Sequence, residues 1–301
     1  MFIILIGCDI LITINQILSE TDTENRKKLI SIRLSELEQN SEQDKELNLN
    51  AIHKGYISTS DTIQFSSDLI DINDYPVMSK YTMKATDYFY EFINYLIQKN
   101  IKNMMDALYL VSPFLHEYFG TNSDYTNKNN RSSSFDNMGN QLGEIKEKYG
   151  NSMFNDYYNK WFDISIFKNN SMAECTEYAA LTQNLFSFIG ANSYYVLGSF
   201  SSDEGKSESH AFNLAQLDAD SFYIVDTANP TITYDMEYNI ISSRPRIQKI
   251  SRNEFINAIS GNGLNVEFSA CNFQTNGHNT RKIDVINCNY SIKTKTNLKS
   301  K

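Results

Sequence analysis

Three residues in the second half of the chain have the types and the order that nucleophilic catalysis requires, namely Cys175, His210 and Asp226. A thiol is a good nucleophile only as the thiolate. A histidine can take the thiol proton, and a carboxylate can fix the orientation and tautomer of the imidazole so that its other nitrogen is left for the thiol. The trio therefore predicts a cysteine nucleophile, with His210 as its base and Asp226 as the group that orients the histidine.

The residues before Cys175 predict that it lies in the first turns of a helix. The segment 171–174, with the sequence SMAE, fits a capping box, so the helix should begin at about residue 172. Gly190 is well placed to end it in a left-handed cap. The apolar stripe of this helix is Tyr178, Leu181, Leu185 and Phe188. The dipole at a helix start favours the thiolate, whereas a buried, inert thiol is the alternative for Cys175 taken by itself.

Two strand-like runs, 209–215 and 221–226, predict a hairpin. The five residues between them, 216–220, have the length of a hairpin loop. Symmetric closure of this loop would place His210 directly opposite Asp226, with their Cβ atoms about 4.5 to 5.5 Å apart. A slipped register would separate the two side chains by one diagonal, and a structural salt bridge is the alternative to a catalytic pair.

The segments around these three residues resemble the transglutaminase-like superfamily. They read AECTEYAAL at 173–181, YVLG at 195–198, HAFN at 210–213 and YIVDTANP at 223–230, with Gly190 after the first. That superfamily carries a cysteine at a helix start, followed by a histidine and an aspartate on adjacent strands. The order and the spacing agree here, and the resemblance covers about residues 140–232, under a third of the chain.

The resemblance implies a papain-like α+β fold, in which the catalytic helix packs on an antiparallel sheet. It also implies acyl chemistry on a protein or peptide amide through a thioester at Cys175. Members of the superfamily include cross-linking transglutaminases, deamidases, proteases and peptide N-glycanases, and the resemblance does not choose among them. The backbone amide at Cys175 can supply one donor to the oxyanion, and Trp161, Gln183 and Asn213 are candidates for a second. The alternative function is a non-catalytic binding module that retains this fold.

Composition limits the other classes of function. The chain has 41% hydrophobic and 13% aromatic residues, which is typical of a folded globular protein. Its net charge of −9 and the lack of a Lys/Arg stripe argue against a nucleic-acid binder. The spacing of the cysteines, and of His53, His116 and His278, fits no metal site, so we expect neither a metal nor a cofactor. Cys271 and Cys288 flank a possible hairpin and are the pair most suited to a disulfide, should the compartment be oxidising.

The patterning divides the chain into three regions. They are an apolar N-terminal segment (1–19), a mostly helical region (20–139) and the catalytic domain with C-terminal strands (140–301). Within the first 139 residues, helices are predicted at 20–50, 80–102 and 109–119. The Asn- and Ser-rich stretch 120–140 predicts a surface loop, and 142–162 predicts two short helices separated at Gly150.

The N-terminal segment allows two localisations. Residues 5–8, with the sequence LIGC, resemble a bacterial lipoprotein cleavage box, in which Cys8 would be lipidated and would anchor the protein to a membrane. The apolar run before this box is too short for such a signal unless translation starts upstream. The alternative is a soluble protein in which an N-terminal apolar helix packs on the domain.

Overall fold

The computed structural model describes most of the regions that surround the predicted site. The described residues are 12–43, 52–53, 57–59, 62–66, 80–101, 103–120, 162–163, 168–169, 173, 175–202, 207–234, 240–259, 264–268 and 286–292. The apolar segment 1–11, the predicted loop 121–140 and Cys271 lie outside the described residues, as do residues 142–161 of the predicted pair of short helices.

The described chain combines helices with antiparallel sheet in an α+β arrangement, and its N-terminal region is helical. The helices are α1 (Ile14–Ser19), α2 (Thr23–Gln43), α3 (Ala85–Gln98), α4 (Met104–Phe119), α5 (Cys175–Ile189) and α6 (Arg252–Ile259). The strands are β1 (Ile52–His53), β2 (Ile57–Thr59), β3 (Thr62–Ser66), β4 (Lys80–Lys84), β5 (Phe162–Asp163), β6 (Asn192–Ser202), β7 (Ser207–Asp218), β8 (Ser221–Tyr234), β9 (Ile240–Ile250), β10 (Leu264–Phe268) and β11 (Ile286–Ile292).

These strands form two sheets in the described part of the chain. The larger has seven strands in the order β10-β11-β6-β7-β8-β9, with β1 also paired to β6. Its neighbours are antiparallel throughout, so β6, β7 and β8 form a meander at its centre. The smaller sheet has the order β2-β3-β4-β5 and is antiparallel except where β4 and β5 run parallel.

The larger sheet packs on helices at both faces. Successive side chains of a strand point to opposite faces. On β6, Tyr195 is fully buried in the core that the helices α3, α4 and α5 share with the sheet. The preceding Tyr194 instead contacts the ring of Phe255 on α6, as does Phe222 of β8. The meander is therefore covered by α5 and its helical neighbours on one side and by α6 on the other.

Helix α4 lies between the N-terminal region and the site, and its ends are defined by its sequence. The Asn103 side chain accepts a hydrogen bond from the Asp106 amide at 2.9 Å and caps the first turn. Gly120 ends the helix with φ of 76°, a left-handed conformation that favours glycine. Buried apolar and aromatic residues fill the inward face: Ala107, Leu108, Val111, Phe114, Leu115, Tyr118 and Phe119.

The predicted N-terminal helices are present, but with different limits and with strands between them. The helix predicted at 80–102 begins only at Ala85, because Lys80–Lys84 forms β4. In that segment Tyr81 and Met83 alternate with polar residues, which is the period of a strand and not of a helix. The strands β1 to β3 were not predicted at all. Among the described residues, no helix is long and apolar enough to span a membrane.

Candidate active site

Cys175 is the first residue of α5, where its half-buried thiol lies at the N-terminus of the helix. The prediction that Cys175 lies in the first turns is confirmed, although the helix begins three residues later than the capping box indicated. Ser171, Met172 and Glu174 of that box lie outside the described residues. The predicted end is also confirmed, because Gly190 has φ of 117° and its amide donates to the Phe186 carbonyl at 3.0 Å.

The predicted pairing of β7 with β8 is wrong by two residues. Ala215 lies opposite Tyr223 and not opposite Ser221, and the register is irregular around Leu217. Because β7 continues through Asp218, the turn consists of only the two residues 219–220. The Asp218 carboxylate accepts a hydrogen bond from the Asp220 amide at 2.9 Å, which closes this tight turn.

The shifted register still leaves His210 and Asp226 in contact. A shift of two residues preserves the face on which each side chain lies, because the side-chain period of a strand is two. The two residues become diagonal neighbours instead of a directly opposed pair, and His210 Nε2 lies 2.9 Å from Asp226 Oδ2. The predicted contact is therefore present, on a register that was not predicted.

Asn229 completes the binding of the carboxylate. Its backbone amide donates to Asp226 Oδ1 at 3.3 Å, and its side-chain Nδ2 donates to Oδ2 at 3.2 Å. The same Nδ2 lies 3.3 Å from His210 Nε2, since both nitrogens meet at Oδ2. In the sequence, Asn229 stood only within the segment YIVDTANP and was not among the predicted site residues. The structure adds a direct contact between its amide and the carboxylate.

The charges at this site favour an ion pair between His210 and Asp226. Burial opposes a charge on the imidazole of His210. The Asp226 carboxylate outweighs burial through its charge and its hydrogen bond, and Cys175, which also bonds this imidazole, adds to the effect. Together they raise the pKa of His210 to about 10. Burial likewise opposes a charge on Asp226, yet the cation of His210, Arg246 on β9 and the Asn229 amide lower the pKa of this carboxyl. At neutral pH His210 is therefore a cation, held at Nε2 by the carboxylate and in contact with the thiol of Cys175.

A second buried histidine, His116 of α4, lies directly behind the site. Its Nε2 donates to the carbonyl of Thr227 at 2.8 Å, and its Nδ1 accepts from the Tyr178 hydroxyl at 3.1 Å. Burial lowers the pKa of His116 to about 4, against the opposing effects of the Thr227 carbonyl and the Asp226 charge. From the sequence, His116 was considered only as a metal ligand and was not placed in the site. Ser112 and His116 are polar at positions i and i+4 of an apolar helix, which was the available signal.

The two described candidates for an oxyanion donor serve another purpose. Gln183 Nε2 donates to the Ser193 carbonyl at 3.3 Å. Asn213 Nδ2 donates to the carbonyl of Ala179 at 2.9 Å and to that of Tyr194 at 3.4 Å. Both amides are buried and hold α5 against the sheet, so the prediction that they serve as oxyanion donors is wrong. Trp161 lies outside the described residues.

The described Cys288 and His53 lie on two other strands of the larger sheet, β11 and β1. Cys288 lies on β11 opposite Val266, and the other half of the suggested disulfide, Cys271, lies outside the described residues. His53 lies on β1 opposite Tyr195. Within the described ranges, no group of three or more His, Cys, Asp or Glu side chains is arranged to hold a metal ion.

Comparison of this chain with protein-family models, with curated proteins and with solved structures gives no match.

Proposed function

We propose that the protein is a cysteine-dependent acyltransferase or hydrolase that acts on protein or peptide amides through a thioester on Cys175. The observation that carries this proposal is the 2.9 Å contact between His210 Nε2 and Asp226 Oδ2 beside a thiol at a helix N-terminus. A carboxylate bound at one imidazole nitrogen directs the other nitrogen to the nucleophile. A transglutaminase-like, papain-like core is the fold that this proposal implies.

In the first half-reaction, the thiolate form of Cys175 attacks the carbonyl carbon of a substrate amide and a C–S bond forms. The cation of His210 then gives its proton to the amide nitrogen, the C–N bond breaks, and ammonia or an amine leaves. Because the pKa of His210 is raised to about 10, the imidazole already carries this proton before the substrate arrives. The residue that the sequence suggested as a base therefore begins the cycle as an acid.

In the second half-reaction, neutral His210 takes a proton from water or from an amine that attacks the thioester. Attack by water releases a carboxylate, and attack by an amine releases a new amide. The C–S bond breaks in both cases, its electron pair returns to the sulfur as the thiolate, and the ring of His210 is again a cation. Asp226 holds the ring through both steps and stabilises its cationic form.

A peptide mixture with an added primary-amine probe distinguishes the possible reactions. Wild-type protein and Cys175→Ala are incubated with the same mixture, and the products are identified by mass spectrometry. Attachment of the amine to a carboxamide identifies a transglutaminase, replacement of a carboxamide by a carboxylate identifies a deamidase, and new peptide termini identify a protease. We expect one of these products with the wild type and none with Cys175→Ala.

A non-catalytic binding module is the competing outcome of this experiment. Equal product patterns from the two proteins, or no product together with a Cys175 that reacts with iodoacetamide no faster than Cys271 and Cys288, would contradict the enzymatic proposal. Cys175→Ala is a suitable comparison because alanine is helix-compatible and close in size to cysteine.

A further inference from the structure

The backbone that follows Asp226 is held by side chains from two helices. The carbonyl of Thr227 accepts from Ser112 Oγ at 3.0 Å and from His116 Nε2 at 2.8 Å, both on α4. The hydroxyl of Thr227 lies 2.7 Å from that of Thr182 on α5. Three buried side chains therefore bind one residue, which is the immediate neighbour of the carboxylate that holds His210.

These contacts occur where the sheet itself provides less support. The pairing of β8 with β9 includes Asp226, opposite Arg246, and resumes only at Thr231 after a register shift. Buried backbone carbonyls need a hydrogen-bond partner, and here α4 provides two for Thr227. Without them, the segment after Asp226 would have to find other partners, and the direction of the Asp226 side chain would change with it.

From this placement we propose that His116 is a positioning residue, which holds the Asp226 carboxylate against His210 through the carbonyl of Thr227. His116 suits this role because both ring nitrogens are bonded, Nε2 to Thr227 and Nδ1 to Tyr178 of α5. The ring is therefore fixed between α4, α5 and β8 as a neutral tautomer. The inference deepens the proposed function and depends on it only for the catalytic meaning of the contact between His210 and Asp226.

The proposal also assigns a role to α4. The sequence divided the chain at residues 120–140 and placed α4 outside the catalytic domain, yet His116 and Thr227 are 111 residues apart and directly bonded. Helix α4 is thus part of the structure that forms the site.

The titration of the His210 ring measures this positioning directly. The full chain is labelled with ¹⁵N-histidine and the ring signals are followed by NMR against pH, for the wild type, His116→Phe and His116→Gln. Phenylalanine keeps a ring of similar size but cannot donate to Thr227, whereas the Gln Nε2 can donate as the histidine Nε2 does. Circular dichroism confirms that each variant is folded.

We expect the midpoint of His210 to fall by about one pH unit or more in His116→Phe, because the carboxylate moves away from the imidazole. The midpoint in His116→Gln should stay close to that of the wild type. An unchanged midpoint in His116→Phe, or equal falls in both variants, overturns the proposal, since the ring volume and not the bond to Thr227 would then matter.

His116→Leu keeps the test decisive if His116→Phe does not fold. Leucine is smaller than phenylalanine and likewise cannot donate to the carbonyl of Thr227. It should lower the His210 midpoint to a similar extent, and an unchanged midpoint rejects the proposal. These midpoints are measured without any substrate, so the two proposals can fail separately. The peptide assay can reject the proposed activity while the positioning role of His116 stands, and the NMR titration can reject the positioning role while the activity stands.

Discussion

The two buried histidines, His210 and His116, differ in charge although they are buried to a similar extent. His210 is 8% exposed and His116 is 2% exposed. His210 contacts the carboxylate of Asp226, and its pKa is raised to about 10. His116 contacts the backbone carbonyl of the next residue, Thr227, and its pKa is lowered to about 4. At neutral pH one ring is a cation and the other is neutral.

The partner of a buried histidine, and not its burial, therefore determines its charge here. Burial disfavours the imidazolium at both positions. A carboxylate more than compensates for it, because a full negative charge lies 2.9 Å from the ring. A carbonyl dipole does not. The charged ring can move a proton during a reaction, whereas the neutral ring keeps a fixed tautomer and suits a structural role.

The same substitution at each histidine should have very different effects on Cys175. In His210→Gln the cation beside the thiol is lost, and we expect alkylation by iodoacetamide at pH 6 to slow by about one to three orders of magnitude. In His116→Gln the donor to Thr227 is kept, so the rate should stay within about twofold of the wild type. Mass spectrometry of the labelled Cys175 peptide gives both rates.

The denatured protein provides the control for this first prediction, since its thiols react without the influence of the fold. If His210→Gln and His116→Gln slow the reaction equally, the two histidines do not have the separate roles assigned to them.

Asp226→Asn should make His210 more like His116. The amide oxygen can still accept from Nε2 and keep the ring oriented, but the charge that stabilises the cation is gone. We expect the pKa of His210 to fall by about one to three units in an NMR titration. The loss of alkylation rate at Cys175 should be smaller than in His210→Gln. A His210 midpoint that stays near 10 in Asp226→Asn would show that another group holds the charge.

The sequence predicted the parts of the site that depend on local signals. The end of α5 follows from Gly190 at that terminus, whereas its start at Cys175 was predicted only to within three residues. The contact of His210 with Asp226 was also predicted, although the register was not. An error of two residues does not change the face of a strand, whereas an error of one would have separated the two side chains.

The parts that the sequence did not predict depend on distant contacts. The role of His116 requires α4 to pack beside Thr227, which is 111 residues away, and no spacing within α4 indicates that neighbour. Gln183 and Asn213 were misassigned for the same reason, because their partners are backbone carbonyls that every residue presents. The strands β1 and β2 are only two and three residues long, too short for an alternating pattern to identify them. In the five residues of β3, Ile63 and Phe65 do alternate with polar residues, so that signal was present and was missed.

The stability of the protein should fall on both sides of about pH 6.5, through a different histidine on each side. Folding lowers the pKa of His116, so its contribution to the free energy of unfolding is complete above pH 6.5 and is lost as the pH falls towards 4. The loss amounts to up to about 3 kcal/mol. The pKa of His210 is raised, so its contribution is complete below pH 6.5 and is lost as the pH rises towards 10. Urea unfolding across this range measures both changes.

Substitution of each histidine should remove one side of this pH profile. His116→Gln should flatten the acid side, and His210→Gln should flatten the alkaline side. If either variant keeps the full profile of the wild type, the titration of that histidine is not what couples folding to pH on that side.

The smallest expected effect is that of Tyr178→Phe, which removes one neutral hydrogen bond from His116. The Tyr178 hydroxyl donates to Nδ1 at 3.1 Å, and its loss leaves a buried acceptor without that partner, at a cost of about 1 kcal/mol in the free energy of unfolding. Nε2 still donates to Thr227, so the Asp226 carboxylate should stay in place and the NMR midpoint of His210 should not move. A drop in that midpoint as large as in His116→Phe would mean that the tautomer of His116 depends on Tyr178, because without this hydroxyl the proton could move to Nδ1 and the bond to Thr227 would be lost. The two buried rings would then form one coupled unit, and the division between a charged histidine that reacts and a neutral one that only supports it would no longer hold.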